Sequence, residues 1–240
     1  LCVLILGNKL YLKPSSKDYV LISFVINKLL KIEPRFKDLI FLSENIINAD
    51  IIICTGNNIS ANYFNYYFKQ KPKIIRSSRS SVAILSGQET ESELQGLSKD
   101  VFLYFGLGCR NVTKIHIPKG YDISILKPYF LEYMSNLNCK NYYDNYIYNK
   151  AILVLNKTPF FDFQNILILE SEKNISPISM LFYEYYNIKE GVDIDNSNVQ
   201  CIVSNDDKKP NTISFGQSQS PELLDYADNI DTIQFLISNS

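Results

Sequence analysis

Short apolar runs that break directly into amphipathic stretches restrict the fold of this chain more than any other feature. Phe41-Leu42 and Ile51-Ile52-Ile53-Cys54 read as buried strands, and the second runs through Thr55-Gly56-Asn57-Asn58 into a helical pattern from Ile59 to Phe68. Alternation of this kind implies an α/β fold with a parallel sheet made of βαβ units. Upstream, Leu1 to Leu6 reads as a helix end stopped by Gly7-Asn8. Leu10-Tyr11-Leu12 then reads as a short strand closed by Lys13-Pro14, and Asp18 to Ile32 as a helix ended by Glu33-Pro34. Downstream, strands are expected at Lys73 to Ile75, Ser81 to Leu85, Val112 to Ile117, Ile166 to Leu169, Ser179 to Tyr185 and Gln200 to Val203. Helices are expected from Ile123 to Met134 and Tyr146 to Leu155, with a last one opened by Ser220-Pro221-Glu222, proline being favoured at the first helical position. There are no repeats and no long flexible linker. The domain boundary is therefore expected as a change of sheet near Arg79 to Ser81, giving domains 1–80 and 81–240.

With 240 residues, 46% hydrophobic and 20% charged, the chain can bury one substantial core or two modest ones. A net charge of -1 without a basic block argues against a nucleic-acid partner, and no apolar run approaches the length of a membrane span. Five widely spaced cysteines, no Cys-x-x-Cys pair and a single histidine, His116, argue against a zinc site or a disulfide framework and place the protein by default in a reducing cytoplasm. Leu1 is not Met, and Leu1 to Leu6 lacks the basic flank and length of a signal peptide, so the chain is expected to begin inside a longer protein.

Chemistry concentrates at Cys109. Thr90 and Glu93 form a capping-box signature, and Leu94, Leu97, Val101, Tyr104 and Phe105 recur at helical spacing up to Gly106. Gly106-Leu107-Gly108 then lets the backbone turn tightly, setting a thiol at a bend where substrate can approach. Arg110 adds positive charge, which favours the nucleophilic thiolate. A buried, inert cysteine is the alternative on local pattern alone. His116 lies within the following strand, pointing to one face of a sheet rather than forming a Cys/His pair.

Four segments in order resemble the aldehyde dehydrogenase superfamily. Gly7-Asn8 to Lys13-Pro14 is similar to its Gly-Asn, strand, Lys-Pro pattern; Cys54-Thr55-Gly56-Asn57 to its Thr-Gly-Ser turn; Phe105 to Cys109 to the segment carrying its nucleophile. The fourth, Ser214-Phe215-Gly216-Gln217 with Ser220 to Leu223, is similar to its Pro-Phe-Gly-Gly region. Within the superfamily, Ser81 to Gly87, Tyr104 to Asn111, Ser176-Pro177-Ile178-Ser179 and Pro221 to Ala227 resemble the bioluminescence-type long-chain fatty acyl-CoA reductases.

That resemblance implies a remnant of a dinucleotide-binding domain followed by a catalytic domain, with reduction of an acyl-CoA thioester to an aldehyde. Cys109 would be the acyl acceptor, and backbone N–H groups of its turn the local oxyanion donors; a further side-chain donor would lie before Leu1. NADPH is the implied cofactor, with NADH also admitted and no metal required. Lys13 and Ser16 would hold the ribose, and Gly56 and Asn57 the pyrophosphate. Ser16 stands where NAD-specific relatives carry a Glu that would repel a 2′-phosphate. Ile75 occupies the position of the general-base Glu of hydrolytic relatives, and an apolar side chain cannot activate water. Lys173 aligns with the usual nicotinamide-ribose Glu, Glu172 being one position out of register, and neither is given a role. The expected partner is acyl-CoA or another acyl thioester; a homo-oligomer and a protein acyl donor both stay open. A non-catalytic fragment and a thiol acyltransferase without reduction are the rival readings.

Overall fold

The computed structural model describes residues 1–15, 18–135, 139–205 and 212–239. The chain divides into two compact units, one of residues 1–77 with 226–240, the other of residues 78–225. The C-terminal residues that the sequence assigned to the second domain thus cluster with the first.

The first unit begins with a single helical turn, α1 (Cys2–Ile5), whose exit is made by Gly7 at φ +75°. Strand β1 (Leu10–Leu12) pairs in parallel with β2 (Ile40–Leu42), and helix α2 (Tyr19–Ile32) lies between them in sequence. The expectation of a buried strand at Phe41-Leu42 fails. Both side chains are exposed, because β2 is hydrogen-bonded only to β1 and neither β2 nor α2 contains a buried residue. A second parallel pair joins β3 (Ile52–Thr55) to β4 (Lys73–Arg76) through helix α3 (Asn58–Tyr67). Here the alternation of β3 does bury one face: Ile52 and Cys54 pack with Phe68, Phe64 and Ile75.

The second unit is a seven-stranded mixed sheet. In chain order its strands are β5 (Ser80–Ile84), β6 (Val112–Pro118), β7 (Phe161–Asp162), β8 (Leu167–Glu170), β9 (Met180–Tyr186), β10 (Val199–Val203) and β11 (Thr212–Ile213). Across the sheet the order is β11-β10-β5-β6-β9-β8-β7, all parallel except for β7 against β8. Parallel strands need crossovers that cover both faces, so the central strands are apolar on both sides. One face packs Ala83, Ile115, Ile117, Ile168 and Leu181 against Leu94, Leu97 and Val101 of α4 (Glu91–Phe102) and Phe130 of α5 (Lys127–Ser135). The alternate residues Leu167, Leu169 and Phe182 meet Tyr146 and Leu153 of α6 (Lys140–Leu155).

Lys114 and His116 alternate with Ile115 and Ile117 on β6 and are also buried. Burial of the Lys114 ammonium is made tolerable by Glu184, 2.5 Å from its Nζ, and by the Glu172 carbonyl at 2.9 Å. Helix α6 starts earlier than its periodicity suggested, at Lys140 rather than Tyr146. The helix expected at Pro221 is absent: Glu222 N–H donates to the Asp225 carboxylate and closes a turn. The last helix is instead α7 (Thr232–Ser238), capped by Asp231 accepting from the N–H of Gln234. It belongs to the first unit, where it contacts α1 and where Thr232 Oγ1 accepts from Arg76.

Candidate active site

The capping box is formed in both directions: Thr90 Oγ1 accepts from Glu93 N–H, and the Glu93 carboxylate from Thr90 N–H at 2.7 Å. The other end of α4 departs from expectation. Tyr104 and Phe105, which sit at helical spacing in the sequence, adopt φ +56° and +58°, and the α-helix stops at Phe102. Left-handed geometry costs a non-glycine residue roughly 1–2 kcal/mol, so something must offset it.

Asn111 is what holds this turn. Its Nδ2 donates to the carbonyls of Asp100 (3.0 Å), Val101 (3.2 Å) and Leu103 (2.8 Å), taking the acceptors that a helix end leaves unpaired. Its Oδ1 accepts from Gly108 N–H at 2.8 Å. One fully buried amide therefore ties the end of α4 to the loop that presents Cys109. Gly108 is needed for a different reason from the turn flexibility inferred from sequence: a Cβ there would lie 3.0 Å from Asn111 Oδ1. Gly106 does use its conformational freedom, at φ +72°.

A second buried anchor lies on the same helix. Asp100 is fully buried and accepts from Gly216 N–H (2.6 Å), Ser218 N–H (3.1 Å) and Ser218 Oγ (2.7 Å). Burial pushes its carboxyl above the usual range, and the three donors oppose that shift. The segment approaches α4 so closely that a Cβ on Gly96 would lie 2.8 Å from the Phe215 carbonyl carbon. The Phe215-Gly216 motif singled out from sequence thus packs on the helix that leads to Cys109, and Gln219 lies beside Gly108.

Cys109 itself is exposed. Its carbonyl accepts from Ser81 Oγ at 3.2 Å, which anchors the turn to the start of β5. Arg110 does not hydrogen-bond the Cys109 sulfur. Its Nη1 donates to Cys201 Sγ and to the Ser218 carbonyl, each at 3.4 Å, so the thiol it bonds is that of Cys201. His116 sits four residues along β6 from Val112, about 13 Å at strand rise, and is buried beside Ile84 and Glu184. It is not the partner of Cys109.

The proposed cofactor residues lie in the first unit. Lys13 is exposed just beyond the C-terminal end of β1, whereas Ser16 lies outside the described residues. Gly56 and Asn57 follow the C-terminal end of β3, the end at which open α/β sheets place ligands. Asn57 caps α3 through Oδ1 to Ser60 N–H at 2.8 Å, and a Cβ on Gly56 would lie 2.7 Å from Ser60 Cβ. The close approach of Ser60 therefore favours glycine at position 56, just before the N-terminal end of α3. Lys13 and the Gly56-Asn57 turn belong to separate strand pairs. Ile75 contributes to the small core of this unit. Among the described residues no cluster of three or more His, Cys, Asp or Glu could hold a metal ion, and no helix is long and apolar enough to cross a membrane.

Sequence reasoning named Cys109 and both glycines but missed Asn111 and Asp100. Asn111 follows the cysteine by two residues and was readable as a polar residue at a strand entrance; Asp100, one acidic residue on an amphipathic helix, carried no local signal.

No family model matches the chain, and no curated protein matches it by sequence. Solved structures match it by fold. An aldehyde dehydrogenase from Mycobacterium tuberculosis complexed with NAD+ is similar over 79% of this chain and 48% of its own, with TM-score 0.57 and 12% identity. The NAD+ complex of an aldehyde dehydrogenase from Bacillus cereus is similar over 84% and 51%, with TM-score 0.58 and 11% identity. Proline utilization A from Corynebacterium freiburgense is similar over 84% and 25%, with TM-score 0.59 and 14% identity. The chain has an aldehyde dehydrogenase-like α/β fold, and it spans about half or less of the length of these structures.

Proposed function

We propose that this chain is the Cys109-bearing part of an aldehyde dehydrogenase-type oxidoreductase that reduces an acyl-CoA thioester to an aldehyde with NADPH. The observation that carries the reading is the exposed Cys109, held by Asn111 and Ser81 on a glycine turn between α4 and β6 within that fold. The Cys109 sulfur attacks the acyl carbonyl carbon, the bond from that carbon to the CoA sulfur breaks, and CoA leaves as its thiol with the proton that Cys109 gave up. Backbone N–H groups of the turn stabilise the oxyanion formed on the way. Lys13, Ser16, Gly56 and Asn57 would hold the dinucleotide, which when bound would supply the hydride that releases the acyl group as aldehyde. Ser16, being neutral, would not repel a 2′-phosphate as a carboxylate would. An apolar side chain at position 75, where the resemblance puts the base of hydrolytic relatives, would offer water no base.

Mixing the intact protein with acyl-CoA and NADPH tests this directly. The reductase oxidises NADPH only when acyl-CoA is present and yields aldehyde. Acylation of the protein with NADPH untouched would identify a thiol acyltransferase, and no acylation at all would leave a non-catalytic fragment.

A further inference from the structure

Cys201 is buried on β10, yet the structure connects it to Cys109 by two routes. Ser81 Oγ donates to the Cys109 carbonyl and accepts from Cys201 N–H, both at 3.2 Å, so the two main chains are at most two hydrogen-bond lengths apart at those atoms. Arg110, the residue after Cys109, places its guanidinium 3.4 Å from Cys201 Sγ. The β10 to β5 pairing is irregular between Val199 and Ile202, where Cys201 lies, and that irregularity leaves its N–H to the Ser81 hydroxyl. Burial pushes the Cys201 thiol up, while Ser81 and Arg110 pull it down and the nearness of Cys109 raises it again. The other three cysteines share none of these contacts: Cys2 and Cys54 belong to the first unit, and Cys139 packs against the α4 and α5 core.

We infer that Cys201 is a resolving thiol, which captures Cys109 as a reversible intramolecular disulfide when a hydroperoxide oxidises it. In the first step the Cys109 thiolate attacks the terminal peroxide oxygen; an S–O bond forms, the O–O bond breaks, and the other oxygen takes a proton from solvent and leaves as water, or as an alcohol from an organic hydroperoxide. Sulfur is oxidised to the sulfenic acid and the peroxide is reduced. In the second, the Cys201 sulfur attacks the Cys109 sulfur, the S–S bond forms, the S–O bond breaks, and the hydroxyl leaves as water with the Cys201 proton. The guanidinium of Arg110, 3.4 Å from Cys201 Sγ, partly offsets the burial that holds this thiol up. Disulfide geometry needs the two Cα atoms within about 7 Å, and the shared Ser81 hydroxyl brings the Cys109 and Cys201 main chains together at that range. An exposed nucleophilic thiol without such a neighbour continues to the irreversible sulfinic acid.

The inference needs only the two thiols and stands apart from the acyl-transfer reading. The intact protein, dilute and reduced, is treated with hydrogen peroxide, its free thiols are alkylated, and it is digested with trypsin without reduction. The expected product is a cross-link between the peptide Asp100 to Arg110, containing Cys109, and Glu190 to Lys208, containing Cys201, released by dithiothreitol. Cys201→Ser should lose the cross-link and accumulate Cys109 sulfinic acid. The wild-type digest decides the matter even if that variant folds poorly. Sulfinic acid on wild-type Cys109 with no cross-link, or a disulfide from Cys109 to Cys2, Cys54, Cys139 or a second chain, would overturn the inference.

Discussion

The turn that carries Cys109 and the turn at Gly56-Asn57 both join a helix to a strand, and they are built in opposite ways. The Gly56-Asn57 turn is local: Asn57 caps the helix that follows it through Ser60, and the longest reach is from Gly56 N–H to the Arg76 carbonyl. The Cys109 turn draws on remote sequence. Asn111 gathers three carbonyls at the end of α4, Ser81 ties in β5, and Asp100 brings the Gly216 to Ser218 segment onto the same helix. A phosphate site needs only a helix N-terminus and room for the ligand. A nucleophile has to be held in position against a reacting carbon, and rigid support from buried polar groups supplies that.

Removing the keystone of the remote network should have the largest effect. Asn111→Ala would leave the carbonyls of Asp100, Val101 and Leu103 and the N–H of Gly108 without their partner. At ~1–3 kcal/mol for each buried group left unsatisfied, the expected loss of stability is about 3 kcal/mol or more, read by urea denaturation. Hydrogen exchange should speed up around α4 and the start of β6 while α3 keeps its protection. Equal loosening of α3 would break the contrast between the two turns.

Close packing comes next. Gly96→Ala would bring a Cβ to 2.8 Å from main-chain carbon of Phe215. Overpacking of this kind costs about 1–3 kcal/mol, and the displaced Gly216 to Ser218 segment should slow acylation of Cys109. Unchanged stability together with unchanged acylation would show that this segment does not support the turn.

The local turn should be the most forgiving. Asn57→Ala removes one cap, worth typically about 1 kcal/mol, because the Ser60 N–H loses its acceptor. Dinucleotide binding, followed by fluorescence titration, should weaken while the rate of Cys109 acylation without cofactor stays the same. A fall in acylation with no change in dinucleotide binding would mean that the roles assigned to the two turns are reversed.

The same contrast explains what could be read from the sequence. Features fixed by neighbours in the chain were legible: the Thr90/Glu93 box, the Gly7 stop, the strand leading into Gly56, and the alternation that covers both faces of the large sheet. Failures came where distant residues decide. Tyr104 and Phe105 look helical by spacing, but Asn111 intercepts the carbonyls on which a continuing helix depends. Pro221-Glu222 looks like a helix start, but Asp225 closes it into a turn, and the helix forms at Thr232, where Asp231 caps it. Arg110 beside Cys109 suggested an activating charge, although the side chain reaches Cys201 on a strand more than ninety residues later. Asp100 could not be recognised at all, since its partners at Gly216 and Ser218 are brought to it only by the completed fold.

The central claim is that Cys109 accepts the acyl group. Incubating the intact, reduced protein with radiolabelled long-chain acyl-CoA in the absence of NADPH, followed by digestion, tests it most directly. The account predicts a hydroxylamine-sensitive thioester on the peptide Asp100 to Arg110, chased from the protein as aldehyde when NADPH is added. Label recovered on Cys54 or Cys201, or an unlabelled protein that folds normally, would contradict it.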